Sequence, residues 1–334
     1  MTAVRDEPPL VAIFLLSAAA LAYEVLLVRL FSIIHWHHFA FMVISLALLG
    51  YGVSGSLIML FRTFFLRYFP AVFFLNILLF GISSTGVFAI VQGLSFNALE
   101  RLWDSSQWLR LLLTYLFLSL PFLFVANTSA LTMLRFDLQI ARIYSADLIG
   151  AGVGAIGIML LLTIFEPATV LKLLAFAGLS AGVVVLRYTR RQLAAAFSLA
   201  IVASGILLLP TSWLESRLSD YKGLVQTLRI EGARHLDSHS SPVSRIDVVE
   251  NRQVPFRNAP GLSLQSPVGP NEQLAVFSDG DAMMTIDRHA GQESPGYMGY
   301  MSSALPYQLG RQFERVAVLN AGTGAAARQA AAYG

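Results

Sequence analysis

The sequence predicts a polytopic α-helical membrane domain of about seven spans, followed by a small antiparallel β domain and the beginning of an α/β domain. Of the 334 residues, 56% are hydrophobic and 13% are charged, whereas roughly 25% of residues are charged in an average soluble domain. The apolar residues lie almost entirely before Pro210, and the chain closes on an apolar run, a glycine turn and an alanine-rich stretch. We therefore expect three regions, residues 1–210, 211–290 and 291–334.

Each predicted span is an apolar segment close to the 20 residues or so that a bilayer requires. The segments lie near residues 9–34, 39–61, 70–91, 109–134, 143–165, 168–186 and 193–210. The first segment lacks a small-residue cleavage site and is longer than a signal peptide, so we expect a retained span. Gly150, Gly154 and Gly157 recur at three- and four-residue spacing, which permits close helix packing. We expect this fifth helix at the centre of the bundle.

The charges indicate membrane topology and exclude several classes of function. Lys and Arg lie mostly in short loops, so the net charge of +3 gives no case for nucleic-acid binding. The absence of cysteine excludes disulfides, thiol nucleophiles and Cys-ligated zinc. The arginine distribution favours a cytoplasmic N-terminus in a bacterial-type cytoplasmic membrane. An odd number of spans then places the tail outside and an even number inside, so the side of the tail stays open.

Three ionisable side chains, those of Glu24, Arg29 and Asp147, fall within predicted spans. Such groups are costly at hydrocarbon depth unless they are paired or face a polar cavity. One interpretation is a structural ion pair, for instance between Arg29 and Asp147. The other is a pocket in which Glu24, Tyr23 and Asp147 contact a cationic or amphiphilic substrate. The sequence does not choose between them.

The stretch "HWHH" at residues 35–38 follows the first span. Its three imidazoles could bind a metal or titrate near neutral pH. No carboxylate lies beside them, and the spacing of the acidic residues in the tail fits no metal template. We predict no metal site.

The region after residue 210 has the pattern of strands and turns. Alternating side chains predict strands around residues 224–230 and 244–249, and "QLAVFSDG" at 273–280 predicts another. Residues 296–309 have a helical pattern. Residues 314–319 then predict a short buried strand that leads into the glycine turn.

The last predicted element fits the pattern G-x-G-x-x-A, with Gly322, Gly324 and Ala327. The first glycine makes a tight turn, the second lets the backbone approach a ligand, and the small third residue permits close packing of helix on strand. The free N–H groups of the following helix favour an anion. The pattern predicts a nucleotide-binding turn that opens a Rossmann-like domain.

The order of several segments resembles the membrane-fused spermidine-synthase-like proteins over nearly the whole chain. The segments are "SAAALAYEVLLVRLFSI", "YKGLVQTLRIEGARHLDSHSSPVSRIDVVE", "FSDGDAMMTIDR", "YMSSALPYQL" and "VAVLNAGTG". The resemblance implies a small β domain before a Rossmann-like domain that binds S-adenosylmethionine or its decarboxylated form. It implies cofactor binding by the turn from Asn320 through Gly322 to Gly324, and substrate binding by Asp279 and Tyr297.

The chain also departs from that family. Asn320-Ala321-Gly322 stands where the family has a glycine-rich triplet, and Met298 and Gly299 follow Tyr297 where a polar residue and a carboxylate are usual. The acidic residue expected about 20 positions after the turn, and the catalytic Asp beyond it, do not occur in these residues. We expect either a fragment of a longer protein or a chain that has lost catalysis, inactive as it stands.

The resemblance implies a membrane-bound transferase that acts on an amine or a lipid-soluble acceptor, in contact with the lipid bilayer and as a possible homo-oligomer. The alternative is a transporter, or a membrane binding or assembly protein with a non-catalytic tail. Helices broken at residues 50–52 or near Pro121 would favour transport.

Overall fold

A computed structural model describes residues 7–35, 40–94, 104–186, 192–288, 296–309, 313 and 315–333. The chain divides into two compact units, Met1–Arg217 and Leu218–Gly334, which we call the membrane unit and the tail unit. The division lies close to the predicted boundary after Pro210.

Apolar helices make up the membrane unit. They are α1 (Leu10–Ile34), α2 (Ala40–Arg67), α3 (Phe69–Gly93), α4 (Ser106–Arg135), α5 (Ile140–Ile164), α6 (Pro167–Val185) and α7 (Gln192–Leu208). Six of them, α1 to α6, are long and apolar enough to cross a membrane. The 17 residues of α7 span about 26 Å at 1.5 Å per residue, against about 30 Å of hydrocarbon. A multi-pass membrane protein is confirmed for six helices, and the seventh predicted span is a shorter apolar helix.

Helices α2 and α4 continue through the positions where an interruption would favour a transporter. Helix α2 keeps helical backbone angles through residues 50–52 and departs from them at Phe61 (φ −112°, ψ 22°). Pro121 lies inside α4 without ending it. Gly50 packs directly against the backbone of α4, an approach that a Cβ atom would prevent. The described residues of α2 and α4 therefore show no interruption at either predicted position.

Helix α1, and not α5, occupies the centre of the membrane unit. Most residues of α1 are buried, and it packs against α2, α4, α5 and α6. Helix α5 buries a single stripe: Ile143, Gly150, Gly154, Ile158 and Leu162. Gly150 and Gly154 lie against the backbone carbonyl groups of Phe14 and Ala18, whereas a Cβ at Gly157 would meet nothing within 4 Å. The predicted close approach is confirmed at two glycines, but the predicted central position of α5 is wrong, because α5 packs mainly on α1 with smaller contacts to α4 and α6, and most of its remaining side chains are exposed.

Gly154→Ala should destabilise the membrane unit by about 1–3 kcal/mol, because the added methyl group collides with the carbonyl group of Ala18. Thermal unfolding of the detergent-solubilised protein measures the effect. Gly157→Ala is the matched control, since it adds the same methyl group in open space and favours the helix slightly. Equal melting temperatures for the two variants would contradict the α1–α5 packing.

A four-stranded antiparallel sheet in the order β1-β2-β3-β4 forms the base of the tail unit. The strands are β1 (Ala233–Ser240), β2 (Arg245–Asn251), β3 (Gln273–Ser278) and β4 (Asp281–Asp287). The strands predicted at 244–249 and 273–280 are confirmed as β2 and β3. The strand predicted at 224–230 is wrong, because these residues begin with helix α8 (Gly223–Leu228). Leu224 is the buried residue of that helix, and it packs on the sheet with Val249 and Phe277.

The β3–β4 hairpin turns at Asp279 and Gly280, whose φ angles are +52° and +71°. An Asp-Gly pair suits this two-residue turn because both central positions need positive φ. A β-bulge between Val276 and Ser278 shifts the register of the hairpin. The bulge brings Gln273 at the start of β3 opposite Asp287 at the end of β4.

Short helical elements complete the tail unit. They are two 3₁₀ helices (Gly296–Tyr300 and Ser302–Ala304), α9 (Leu305–Gln308) and α10 (Ala325–Tyr333). The helical pattern at 296–309 thus corresponds to short turns of helix. Residues 315–319 form no strand, and the Val316 and Leu319 side chains are exposed. A parallel strand needs neighbouring strands and cover on both faces, which the described residues do not supply. They show the glycine turn and its helix without a Rossmann-like sheet.

Candidate functional site

A buried polar cluster in the tail unit joins the sheet to the residues that follow it. The Tyr297 hydroxyl donates to Asp287 Oδ1 at 2.8 Å, and Gln273 Nε2 donates to the same oxygen at 2.9 Å. Gln273 Nε2 also lies 3.2 Å from the Tyr297 hydroxyl oxygen. Each of these three side chains is less than 10% exposed. The carboxylate is thus held among hydrogen-bond donors inside the unit.

Arg328 of helix α10 also contacts Asp287. The Arg328 guanidinium lies 3.3 Å from Asp287 Oδ2. The next residue, Gln329, donates from Nε2 to the Met298 carbonyl oxygen at 2.7 Å. We call Gln273, Asp287, Tyr297 and Arg328 the Asp287 cluster. It connects β3, β4, the 3₁₀ helix Gly296–Tyr300 and α10.

The environment of Tyr297 keeps its hydroxyl protonated. Burial, followed by the hydrogen bond to the negative charge of Asp287, raises the pKa of Tyr297 from 10.0 to about 12. Tyr297 therefore acts as a hydrogen-bond donor to Asp287 throughout the neutral range.

The glycine turn has the backbone conformation that the G-x-G pattern predicts. Asn320, Gly322 and Gly324 have φ angles of +54°, +55° and +83°. Helix α10 begins directly after Gly324, and Ala327 lies exposed in its first turn. The first turn of a helix offers backbone N–H groups to an anionic ligand. Nucleotide binding by these four residues stays a prediction, and residues 325–333 contain no carboxylate for a ribose.

Asp279 has a structural position in the hairpin turn. Its Oδ1 accepts a hydrogen bond from the Arg245 backbone N–H at 2.8 Å, and its carbonyl oxygen accepts one from the buried Lys222 ammonium at 2.7 Å. The structure does not bring Asp279 into the Asp287 cluster. The substrate roles of Asp279 and Tyr297 both stay predictions.

In the membrane unit, Asp147 of α5 lies between two serine hydroxyl groups. Ser17 of α1 donates to Asp147 Oδ1, and Ser129 of α4 donates to the same oxygen at 3.3 Å. Arg29 lies 12 residues beyond Ser17 on α1, or about 18 Å along the axis. The suggested ion pair of Arg29 with Asp147 is therefore wrong, and the buried Arg29 belongs to another level of the bundle.

Glu24 of α1 is partly buried. The Tyr23 ring packs on Phe80 and Phe122, with centroid distances of 6.4 Å and 5.6 Å. The structure thus places Tyr23 among aromatic rings, and a polar pocket formed with Glu24 and Asp147 stays a prediction.

The histidine stretch at 35–38 is described only at His35, whose ring stacks on Phe31. Residues 36–38 lie outside the described part. Within the described residues, no group of three His, Cys, Asp or Glu side chains could hold a metal ion.

Sequence reasoning missed the roles of Gln273, Asp287 and Arg328. The Asp-Gly turn is typical of a hairpin, and a hairpin brings the start of β3 beside the end of β4. This signal could have predicted that Gln273 and Asp287 lie close together. No local signal indicates Arg328. In the membrane unit, Ser17 and Ser129 were missed because single serines are common in apolar helices.

Comparison of the chain with known protein families, with curated proteins and with solved structures finds no match.

Tyr297→Phe should lower the free energy of unfolding of the tail unit by about 1–2 kcal/mol, because Asp287 loses one buried hydrogen bond. The effect should depend on pH. Since the pKa of Tyr297 is raised in the folded state, the hydroxyl contributes fully below pH 10.0 and the contribution is lost as the pH rises to about 12.

Chemical denaturation between neutral pH and pH 12 measures both effects. Tyr300→Phe is the control, since the Tyr300 side chain is exposed. If both variants lose the same stability with the same pH profile, the buried hydrogen bond of Tyr297 is not the cause.

Proposed function

We propose that this protein is a membrane-bound, spermidine-synthase-like transferase that uses S-adenosylmethionine or its decarboxylated form on an amine or a lipid-soluble acceptor. One observation carries the proposal: two sites predicted separately, the glycine turn and Tyr297, are joined by helix α10. The helix begins at the turn, and its Arg328 contacts Asp287, the hydrogen-bond acceptor of Tyr297. A donor turn and an acceptor cluster on one short helix suit a two-substrate transferase.

In this proposal Asn320, Gly322, Gly324 and Ala327 hold the donor through the backbone of the turn. When bound, the sulfonium group of such a donor would supply a carbon that is already activated for attack by the acceptor. The residues of the chain bind and orient, which supplies most of the rate when the leaving group is already activated. In this proposal an ammonium group takes the place of Arg328 beside the buried Asp287 carboxylate, which Tyr297 and Gln273 orient.

The positions of three arginines support a cytoplasmic location for the end of the bundle at which α1 begins. Arg67 ends α2, Arg135 ends α4 and Arg142 lies in the first turn of α5. Successive helices run in opposite directions, so these three positions and the start of α1 lie at the same end. The positive-inside rule then favours a cytoplasmic N-terminus in a bacterial-type membrane. A homo-oligomer stays part of the proposal.

The proposed function requires the tail unit in the cytoplasm, where nucleotide-like donors are normally available. Six crossings would meet this requirement, and α7 is shorter than a bilayer core. We expect a C-terminal fusion to green fluorescent protein to be fluorescent and a C-terminal fusion to alkaline phosphatase to be inactive. The reverse pair of results would place the tail outside and contradict this function.

Isothermal titration of both donors into the detergent-solubilised protein tests cofactor binding. We expect saturable binding by this chain, or by the same chain extended through any coding sequence that follows Gly334. Gly324→Ala should weaken it at least tenfold, because the φ of +83° is strained for alanine. Gly269→Ala is the control, since its Cβ would meet open space. Absence of binding by both forms would remove the transferase proposal.

A further inference from the structure

The turn between α4 and α5 lies at one surface of the membrane. Its centre is a short 3₁₀ helix, Asp137–Gln139, between Arg135 at the end of α4 and Arg142 in the first turn of α5. The 30 residues of α4 span about 45 Å, which exceeds the hydrocarbon core of about 30 Å. Because ionised side chains are costly at hydrocarbon depth, these charged residues lie at the level of the lipid headgroups.

An open cavity of about 360 Å³ lies against this turn. Its walls are formed by five consecutive residues: Arg135, Phe136, Asp137, Leu138 and Gln139. The volume falls within the range of about 300–1,000 Å³ that is typical of small-molecule sites. The apolar Leu138 side chain is 97% exposed, and an exposed apolar side chain at the membrane surface can insert among acyl chains. The cavity therefore has charged groups and an apolar contact for lipid side by side.

Two aromatic rings position the Arg135 guanidinium in this wall. Its Cζ atom lies 5.2 Å from the centroid of the Phe69 ring and 5.9 Å from that of the Phe136 ring. The two rings are in edge-to-face contact at 5.8 Å. Arg135 has no ion pair or side-chain hydrogen bond with any described residue. A guanidinium that uses its faces for rings keeps the N–H groups at its edges for an acceptor.

A second arginine is held next to the cavity wall. Arg142 Nη1 donates to Gln139 Oε1 at 3.1 Å. The carboxylate in the wall belongs to Asp137, whose Oδ1 accepts from the Leu138 backbone N–H at 2.8 Å. Neither arginine forms an ion pair with Asp137. Two positive charges and one negative charge leave a net charge of +1 at the turn, which suits a ligand with one negative charge.

We propose that this cavity binds the phosphodiester headgroup of an anionic glycerophospholipid. The edges of the Arg135 and Arg142 guanidinium groups donate to the phosphate oxygens, the pairing for which arginine is best suited. The acyl chains lie along Leu138 and the apolar surface of the bundle. Basic pockets at the ends of membrane helices bind lipid headgroups in this way. The site belongs to the membrane unit and does not rest on the proposed transferase function.

Native mass spectrometry of the detergent-solubilised protein with phosphatidylglycerol tests the site, and phosphatidylcholine with the same acyl chains is the zwitterionic control lipid. We expect the wild type to bind phosphatidylglycerol at least tenfold more tightly than phosphatidylcholine. Arg135→Gln/Arg142→Gln should reduce this preference to twofold or less. Arg135→Lys should weaken it severalfold, because an ammonium group lacks the planar fork of a guanidinium.

Arg62→Gln is the matched control for charge. Arg62 is exposed and lies five residues before the end of α2, at the same end of the bundle, but it is not part of the cavity wall. This variant should keep the lipid preference of the wild type. A loss of preference equal to that of the double variant would indicate general attraction to positive charge and overturn the proposal.

Thermal unfolding separates lipid binding from folding. Phosphatidylglycerol should raise the melting temperature of the wild type and of Arg62→Gln, but not that of the double variant. If the loss of Arg135 prevents folding, Arg142→Gln alone decides, since Arg142 is exposed and Gln139 is its hydrogen-bond partner among the described residues. An unchanged lipid preference in that variant overturns the proposal.

A competition experiment separates a lipid from a soluble phosphate. Glycerol 3-phosphate and inorganic phosphate, each at the concentration of the lipid, should leave the bound phosphatidylglycerol in place. Displacement by either would assign a soluble phosphate ligand and overturn the proposal, as would equal phosphatidylglycerol affinity in the wild type and the double variant. Donor binding in the tail unit is measured separately, so either proposal can fail alone.

Discussion

The membrane unit depends on the contact of α1 with α5 through Gly150 and Gly154. Because neither residue has a side chain, the backbone of α5 comes against the carbonyl groups of Phe14 and Ala18. Asp147 precedes Gly150 by one turn, and it reaches the hydroxyl of Ser17 only at this short interhelical distance. The same contact that makes α1 central therefore brings a carboxylate into the bundle.

The tail unit is organised differently, because its apolar core is small. Leu224, Val249, Ala275 and Phe277 form its hydrophobic cluster among the described residues. Beyond this core, buried hydrogen bonds to Asp287 hold the 3₁₀ helix and α10 against the sheet. Such a network gives a defined geometry when every member has a partner, and it loses that geometry when one is removed. The Asp287 cluster is thus a structural element of the tail unit, and the proposed function also makes it the acceptor site.

The sequence predicted those features whose hydrogen bonds are local. Membrane helices satisfy their own backbone groups, so apolar length was sufficient to find six of them. The glycine spacing in α5 predicted a close contact with another helix, but it did not predict that α5 packs mainly on α1. The Asp279-Gly280 turn was visible in sequence, yet the bulge after Val276 sets Gln273 opposite Asp287. Arg328 lies 41 residues from Asp287, and only the tertiary position of α10 brings them together.

The glycine turn and the Asp287 cluster are linked through the first turn of α10, because Gly324 directly precedes the helix and Arg328 is its fourth residue. The start of the helix is set by the positive φ of Gly324, and its Arg328 neutralises Asp287. In the proposed function, a donor that moves the turn would also move Arg328, and an amine that displaces Arg328 from Asp287 would also release the turn. Thermodynamic linkage would then require each of the two ligands to change the affinity of the other by the same factor. The nine residues of α10 would thus couple the glycine turn to the Asp287 cluster.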